Sequence, residues 1–402
     1  MGGNIVDLAL GTDQGGSIRV PASWCGIVGL KPTFGLVPYT GIASHEFTLD
    51  HVGPMGRTIH DIALLLEAIA GLDPIGRDAR QPANLASLPV PKYSEWATGE
   101  VGGVRVGVLR EGLENCEEDV KEALWGVVEG LRERGARVEE VSVAMHRDSS
   151  AVWLPLCLEG GHSTRMEGER GFRGFYPVSL QQAYYRGFRM QAAELSCTNK
   201  YYVLFGEYVR ETYGNQYYQK CQNLVPALTQ AYDDLLVRQG FDVLLLPTLP
   251  IKPQLLPKAG MTPAEVSPPS FPPSLLHSLT NAKTLHLSFL SSHSPSLPPL
   301  PQGIAQAWAA LQNTAAFDLT GHPALSVNAG FSCPSSSSLT TTAGGKAGGK
   351  AGGKEGKGVS GGGGLPIGVQ VVGRRWEDAM VLNVGRAIEL ERGPTPLPPG
   401  PG

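Results

Sequence analysis

Gly11-Thr12-Asp13-Gln14-Gly15-Gly16-Ser17-Ile18-Arg19-Val20-Pro21-Ala22 is the stretch whose reading decides the fold. Glycines at positions 11, 15 and 16 permit backbone turns that a Cβ forbids. Ser17, directly after Gly15-Gly16, is therefore expected at the exposed end of a tight loop. Consecutive backbone N–H groups there can converge on one point and hold a developing negative charge. A serine beside such a nest is what acyl transfer needs. A plain glycine-rich turn fits the same residues equally well, and the stretch alone leaves both readings open. Other chemistries are disfavoured: the serine is not in G-x-S-x-G, the α/β-hydrolase elbow. The chain holds no G-x-x-x-x-G-K-[ST], and the loop lacks the G-x-G-x-x-G spacing of a dinucleotide site.

The blocks around this loop choose between the two readings. Downstream stand Cys25-Gly26-Ile27-Val28-Gly29-Leu30-Lys31-Pro32-Thr33-Phe34-Gly35 and Asp50-His51-Val52-Gly53-Pro54-Met55. Near the other end stand Phe317-Asp318-Leu319-Thr320-Gly321-His322-Pro323-Ala324-Leu325-Ser326-Val327 and Leu365-Pro366-Ile367-Gly368-Val369-Gln370. In this order and spacing they resemble the amidase signature family. The resemblance implies an α/β fold of the α/β/α type around a central mixed, partly parallel sheet. It implies hydrolysis of a small or aryl-alkyl carboxamide through an acyl-enzyme, using a Ser-Ser-Lys arrangement with an uncharged lysine as base. Ser17 maps onto the nucleophile. The backbone N–H groups of Gln14, Gly15, Gly16 and Ser17 map onto the oxyanion hole. Asp13 and Arg19 map onto the shell that holds the loop. Neither a cofactor nor a metal is implied, and the partner is a small-molecule amide, with a homodimer compatible.

The resemblance also implies a lysine and a bridging serine in a GGSSGG-like loop ahead of this point. The sequence opens at Met1-Gly2-Gly3, so it is read as a domain truncated at its N-terminus. The rival reading is a non-catalytic remnant or binding module that keeps the fold without its base. A third is an unrelated α/β domain whose glycine-rich loop cradles an anion. Lys31 is the lysine nearest to Ser17 in sequence, but the family keeps a lysine there apart from the catalytic one. His45 and His51 can accept protons, but nothing in their spacing aims them at Ser17.

Composition bounds the remainder. The 402 residues can bury one large core or two moderate ones. A formal net charge of -4 gives no basic field for nucleic acid. Cys25, Cys116, Cys157, Cys197, Cys221 and Cys333 are scattered without a C-x-x-C pair, against a zinc site or disulfide scaffold. Neither a secretory signal nor a membrane-length apolar run is present, so a cytoplasmic protein with no membrane partner is the expectation.

Taken in order, Ile5–Leu10 reads as a short buried strand, and Ala22–Leu30 as a helix or tight turn under the loop. Residues 38–54 read as irregular, with Asp50 and His51 in local hydrogen bonds rather than on a metal. Thr58 is expected to cap a helix with Asp61 at its third position. Its apolar stripe is Ile59, Ile62, Ala63, Leu66, Ile69 and Ala70, and it stops at Gly71. Val104–Leu109, Glu117–Arg134 and Arg137–Val143 form a βαβ unit, which makes part of the sheet parallel. The aromatic-rich segment from Trp153 to Tyr218 reads as the core of a helical layer or the wall of a pocket. A helix over Gln222–Arg238 feeds a strand over Asp242–Leu246, with Pro247-Thr248 as a candidate pocket rim. Further helices are expected over Ile304–Ala316 and from about Trp376 to Glu391. Residues 1–393 form one incomplete domain, interrupted by a Pro/Ser-rich insert at 268–301 and a Ser/Thr then Gly/Lys-rich insert at 332–364. A flexible tail covers 394–402. The two inserts are expected to be disordered and dispensable. The opening strand, left without its cover, is expected to promote association.

Overall fold

Strand β1 (Leu8–Asp13) runs straight into the glycine loop, and helix α1 (Arg19–Cys25) starts immediately after it. The computed structural model describes residues 6–85, 90–168, 174–253, 310–332 and 364–393. Both expected inserts, apart from Ser332 and Gly364, and the tail at 394–402 lie outside the described residues, as do residues 304–309 of the expected helix. After Gly26, whose φ of 65° closes α1, the chain turns into β2 (Val28–Lys31) and later β3 (His51–Gly56). Helix α2 (Ile59–Ile69) follows, capped by Thr58 Oγ1, which accepts from Asp61 N at 3.1 Å. The short α3 (Tyr93–Trp96), β4 (Arg105–Leu109), α4 (Glu118–Glu133) and β5 (Arg137–Val141) come next. Helix α5 (Ser149–Pro155) continues through a wider turn into α6 (Gly161–Glu167). Then come α7 (Val178–Met190), α8 (Cys197–Tyr213), α9 (Gln216–Asp233) and β6 (Val243–Pro247). The described residues end with α10 (Ala315–Thr320), β7 (Ala324–Phe331), β8 (Pro366–Gly373) and α11 (Asp378–Arg392).

The eight strands form one sheet in the order β1-β3-β2-β7-β8-β6-β4-β5. β4 pairs in parallel with both β5 and β6, and the other pairings are antiparallel. The sheet is therefore mixed, and its parallel part is the predicted βαβ unit with β6 added on the other side of β4. Ile59, Ile62, Leu66, Leu124, Val128, Val384 and Ile388 cover one face with Val369 and Val371 of β8. Trp153, Leu156, Tyr232, Leu236 and Phe317 cover the other with Val372. Gln370 and Gly368 share the face of Val372, because strand side chains alternate. Helix α1 lies on that face. A Cβ on Gly368 would stand 2.5 Å from Ser23 Oγ, so glycine is what lets α1 approach β8.

Several expectations change. β1 is an edge strand, with Leu8 and Leu10 at 40% and 57% exposure, because among the described residues only β3 pairs with it. Residues 22–30 split between the end of α1 and β2, and β3 begins inside the stretch expected to be irregular. Helix α7 buries none of its residues, so the aromatic segment is not core there, and Tyr185 is exposed. Thr248 is fully buried, and its hydroxyl meets Ser326 Oγ at 2.9 Å, so it packs rather than lining a rim. Helix α11 starts two residues late because Trp376 takes φ 72°, and its N–H donates to Thr33 Oγ1.

Two outcomes follow from this packing. Leu124→Ala leaves a void between α4 and the sheet and should cost about 2–5 kcal/mol in denaturant unfolding. Leu10→Lys places a charge on the exposed edge strand and should reduce concentration-dependent association in light scattering, without lowering the unfolding midpoint.

Candidate functional site

The glycine loop is fixed by a buried carboxylate at its entrance. Asp13 accepts from Gly16 N at 2.5 Å, Ile18 N at 3.1 Å and, at the long limit, Gly15 N at 3.3 Å. Arg19 grips the same carboxylate with Nε at 2.9 Å and Nη2 at 3.0 Å. Its other N–H groups go to Asp318 Oδ2 at 2.6 Å, Thr314 O at 2.9 Å and Gln370 Oε1 at 2.8 Å. All five donors of this fully buried guanidinium are thereby matched. Burial alone would raise the Asp13 carboxyl, but the Arg19 charge outweighs it and holds the group well below the ordinary carboxylate range.

The loop carbonyls are pinned from elsewhere in the chain. Trp153 Nε1 donates to Gln14 O at 2.6 Å, and Thr314 Oγ1 donates to Gly15 O at 2.6 Å. Gly16 has φ 141°, and a Cβ there would stand 2.6 Å from Thr314 Oγ1, so glycine is required twice over. Ser17 is exposed, at the wall of a pocket of about 360 Å³ shared with Val20, Trp153, His45, Tyr202 and Leu311. Of the four N–H groups expected at an oxyanion hole, those of Gly15 and Gly16 already donate to Asp13. Those of Gln14 and Ser17 do not.

The expected alternative bases are placed away from this task. His45 does reach the pocket, but Arg165 Nη2 donates to its Nδ1 at 2.8 Å, so its proton sits on Nε2, 3.0 Å from Cys157 O. Desolvation and the Arg165 charge push its pKa down to about 3. With its only lone pair engaged, His45 is a neutral wall residue. His51 is buried below the loop, with Nδ1 2.8 Å from Leu49 O. Asp50 accepts from Ser44 Oγ and Arg80 Nη2, a local network as expected. Lys31 is fully buried, donating to His322 O at 2.8 Å and Pro32 O at 3.2 Å, and burial pushes it down to about 7. Among the described residues no side chain hydrogen-bonds to Ser17, and no group of three acids, histidines or cysteines could hold a metal.

A family model described as Amidase matches residues 1–275. The chain belongs to the amidase family. An enantioselective amidase of Rhodococcus rhodochrous is 33% identical over 400 residues, covering 98% of this chain and 62% of that amidase. A glutamyl-tRNA(Gln) amidotransferase subunit of Lysinibacillus sphaericus is 36% identical over 253 residues, covering 61% of this chain and 49% of that protein. This amidase-family chain thus spans about half to three fifths of the length of these relatives. Among solved structures, the corresponding amidotransferase subunit of Thermotoga maritima superposes with a TM-score of 0.62 at 24% identity, covering 100% of this chain and 67% of that one. A bacterial aryl acylamidase gives 0.64 at 20%, covering 97% and 63%. These likenesses show that the α/β architecture is shared. Among the described residues no helix is long and apolar enough to cross a membrane.

Reading the sequence does not find Trp153, Thr314, Gln370 or Asp318 as parts of the amidase-family site. Asp318 and Gln370 stand inside the C-terminal blocks, so their signal is present without a role. Trp153 and Thr314 carry no local signature.

Asp13→Asn should leave Arg19 buried beside a neutral partner, at a cost of about 3–5 kcal/mol in unfolding free energy. Lys31 adds a pH dependence. Its folded pKa of about 7 lies below the unfolded value of roughly 10.4, so between those values the unfolded chain binds the extra proton. Stability should therefore rise with pH from about 7 towards 10, by on the order of a few kcal/mol, and Lys31→Met should flatten that rise in pH-resolved denaturation.

Proposed function

We propose that this chain carries the nucleophile half of an amide-hydrolysing site, with Ser17 attacking the carbonyl of a small or aryl-alkyl carboxamide. The supporting observation is Ser17 itself, exposed at a pocket wall on a loop whose carbonyls and amides are locked by Asp13, Trp153 and Thr314. The pocket wall is apolar and aromatic through Val20, Trp153, Tyr202 and Leu311, which suits an aryl or alkyl group. In the reaction the Ser17 oxygen bonds to the carbonyl carbon, and the oxyanion is held by the N–H groups of Ser17 and Gln14. Collapse expels the amine or ammonia, which takes a proton, and water then frees the acid. Asp13 and Arg19 hold the loop and do not react. The reading gives the base and the bridging hydroxyl to a lysine and a serine outside the described residues. The chain works on a small molecule, without nucleic acid.

The second reading, a non-catalytic member of the family, is favoured by one observation. Among the described residues, the two side chains weighed as bases are already engaged: His45, at the Ser17 pocket, by Arg165, and Lys31, fully buried, by backbone carbonyls.

A fluorophosphonate probe with peptide mapping separates the two. The 402-residue chain should label negligibly, because a serine hydroxyl needs a neighbouring base and His45 and Lys31 are engaged elsewhere. A chain extended at its N-terminus with a lysine and a GGSSGG-like loop should label at Ser17 and hydrolyse benzamide-type amides, and Ser17→Ala should abolish both without changing the unfolding midpoint. No labelling of the extended chain would favour the non-catalytic reading.

A further inference from the structure

The residues lining the Ser17 pocket present no formal charge, yet a guanidinium is hydrogen-bonded to one of them from outside the lining. His45 lines the pocket, and Arg165 of α6 donates from Nη2 to its Nδ1 at 2.8 Å. Arg165 is half-buried, and among the described residues no carboxylate pairs with it. Its other contacts are the Gly161 carbonyl, 3.4 Å from Nη1, and the Tyr202 ring, 5.1 Å from Cζ. A guanidinium taken out of water is ordinarily matched by an acid. Here an imidazole stands in that place and has no negative charge to offer. The ring is also held on its far side. Nε2 donates to Cys157 O at 3.0 Å, and Cε1 packs so closely on Gly161 that a Cβ there would stand 2.6 Å away. Fixed at both nitrogens and against α6, the imidazole does not swing aside to uncover Arg165.

We infer that His45 sets the charge specificity of the Ser17 pocket: as a neutral plug over Arg165 it confines the pocket to uncharged amides, and a smaller residue at position 45 would admit an amide that carries a carboxylate. A charged substituent entering the pocket as it stands loses water and meets Val20, Trp153, Tyr202 and Leu311, with no counter-charge among them. The Arg165 charge attracts a carboxylate from behind the imidazole but gives it no hydrogen bond in place of that water, and it repels an ammonium. An uncharged aryl ring faces neither cost. With the imidazole removed, Nη2 is freed towards the vacated space, and a guanidinium fork suits a carboxylate. A benzamide with one small substituent fits the volume of about 360 Å³. That the pocket takes an amide rests on the reading of Ser17 given above, whereas the charge discrimination rests on His45 and Arg165.

The test is calorimetric binding to the full chain carrying Ser17→Ala, which removes any turnover from the measurement. Benzamide should bind at least about tenfold more tightly than meta- or para-carboxybenzamide. His45→Ala should shift that ratio towards a carboxybenzamide by about tenfold or more, through tighter binding of the acid rather than loss of benzamide. Adding Arg165→Met should remove the gain. His45→Gln, whose amide can accept from Arg165 and donate to Cys157 O, should keep the original preference. A merely structural His45 would instead weaken benzamide and the acids alike. His45→Ser, measured in parallel, gives the same readout if the alanine variant does not fold. Carboxybenzamide binding as tight as that of benzamide with His45 in place would overturn the proposal. So would an unchanged ratio in the folded small-residue variant, or a gain that survives Arg165→Met. Absent benzamide binding would overturn it too, by removing the amide from the pocket. The fluorophosphonate result on the extended chain reports on Ser17 alone, so failure of the hydrolytic reading and failure of this one are told apart.

Discussion

The contact between Asp13 and Arg19 is the constraint on which the rest of the site depends. It is formed by residues six apart, on either side of the glycine loop, with no solvent access to either side chain. One carboxylate there accepts five hydrogen bonds, two from the guanidinium and three from the loop backbone. The backbone bonds fix where the chain turns, and the guanidinium keeps the carboxylate ionised so that those bonds stay strong. The direction in which Ser17 leaves the loop follows from both.

Such a contact is stable only if the remaining donors of Arg19 are matched as well. Burying a guanidinium is unfavourable unless each N–H finds an acceptor. The acceptors come from three separate places: Asp318 in α10, the Thr314 carbonyl just before it, and Gln370 in the middle of β8. Gln370 is itself tied back to Asn313 O at 2.7 Å. The antiparallel half of the sheet therefore supplies the site, and the parallel β4, β5 and β6 act as its scaffold. β7 and β8 pair from Ala324↔Val372 to Phe331↔Pro366, with a one-residue register shift between Asn328 and Gly330, so the long segment between them leaves from the far end of the ladder. An insertion there does not disturb the strand positions that hold Arg19.

How much is legible in the sequence follows the same division. Local interactions are: the Thr58 cap and the apolar stripe of α2 depend on residues within a few positions of each other, whereas Asp13 and Arg19 are singled out by the family resemblance and not by their spacing. Interactions closed across the sheet are not. Nothing near Trp153 or Thr314 says that their side chains will meet the carbonyls of Gln14 and Gly15, more than a hundred residues earlier. The apolar residues at the start suggest a buried strand, yet Leu8 and Leu10 are exposed, since apolar content does not say whether a second neighbour exists. The aromatic segment departs from expectation for a related reason. Helical spacing in α7 is real, but among the described residues it is Trp153 of α5 and Tyr202 of α8 that reach the pocket, and which face is covered depends on what packs against it.

A network of buried charges is a poor way to gain stability, because apolar residues of the same volume would often do as well or better. What the network provides here is geometry. An apolar substitute for Asp13 would release the Gly16 and Ile18 amides, and one for Arg19 would release Asp13. The serine would then sit on a flexible glycine loop with many accessible orientations. Trp153 and Thr314 reduce those orientations further by holding the carbonyls, so the loop is fixed from both of its hydrogen-bonding edges. Their contacts join parts of the chain far apart in sequence on one face of the sheet, which makes the Ser17 position a property of the assembled fold rather than of the loop. A change that loosens α5 or α10 should therefore move Ser17 as surely as a change beside it, even where the Asp13–Arg19 pair survives.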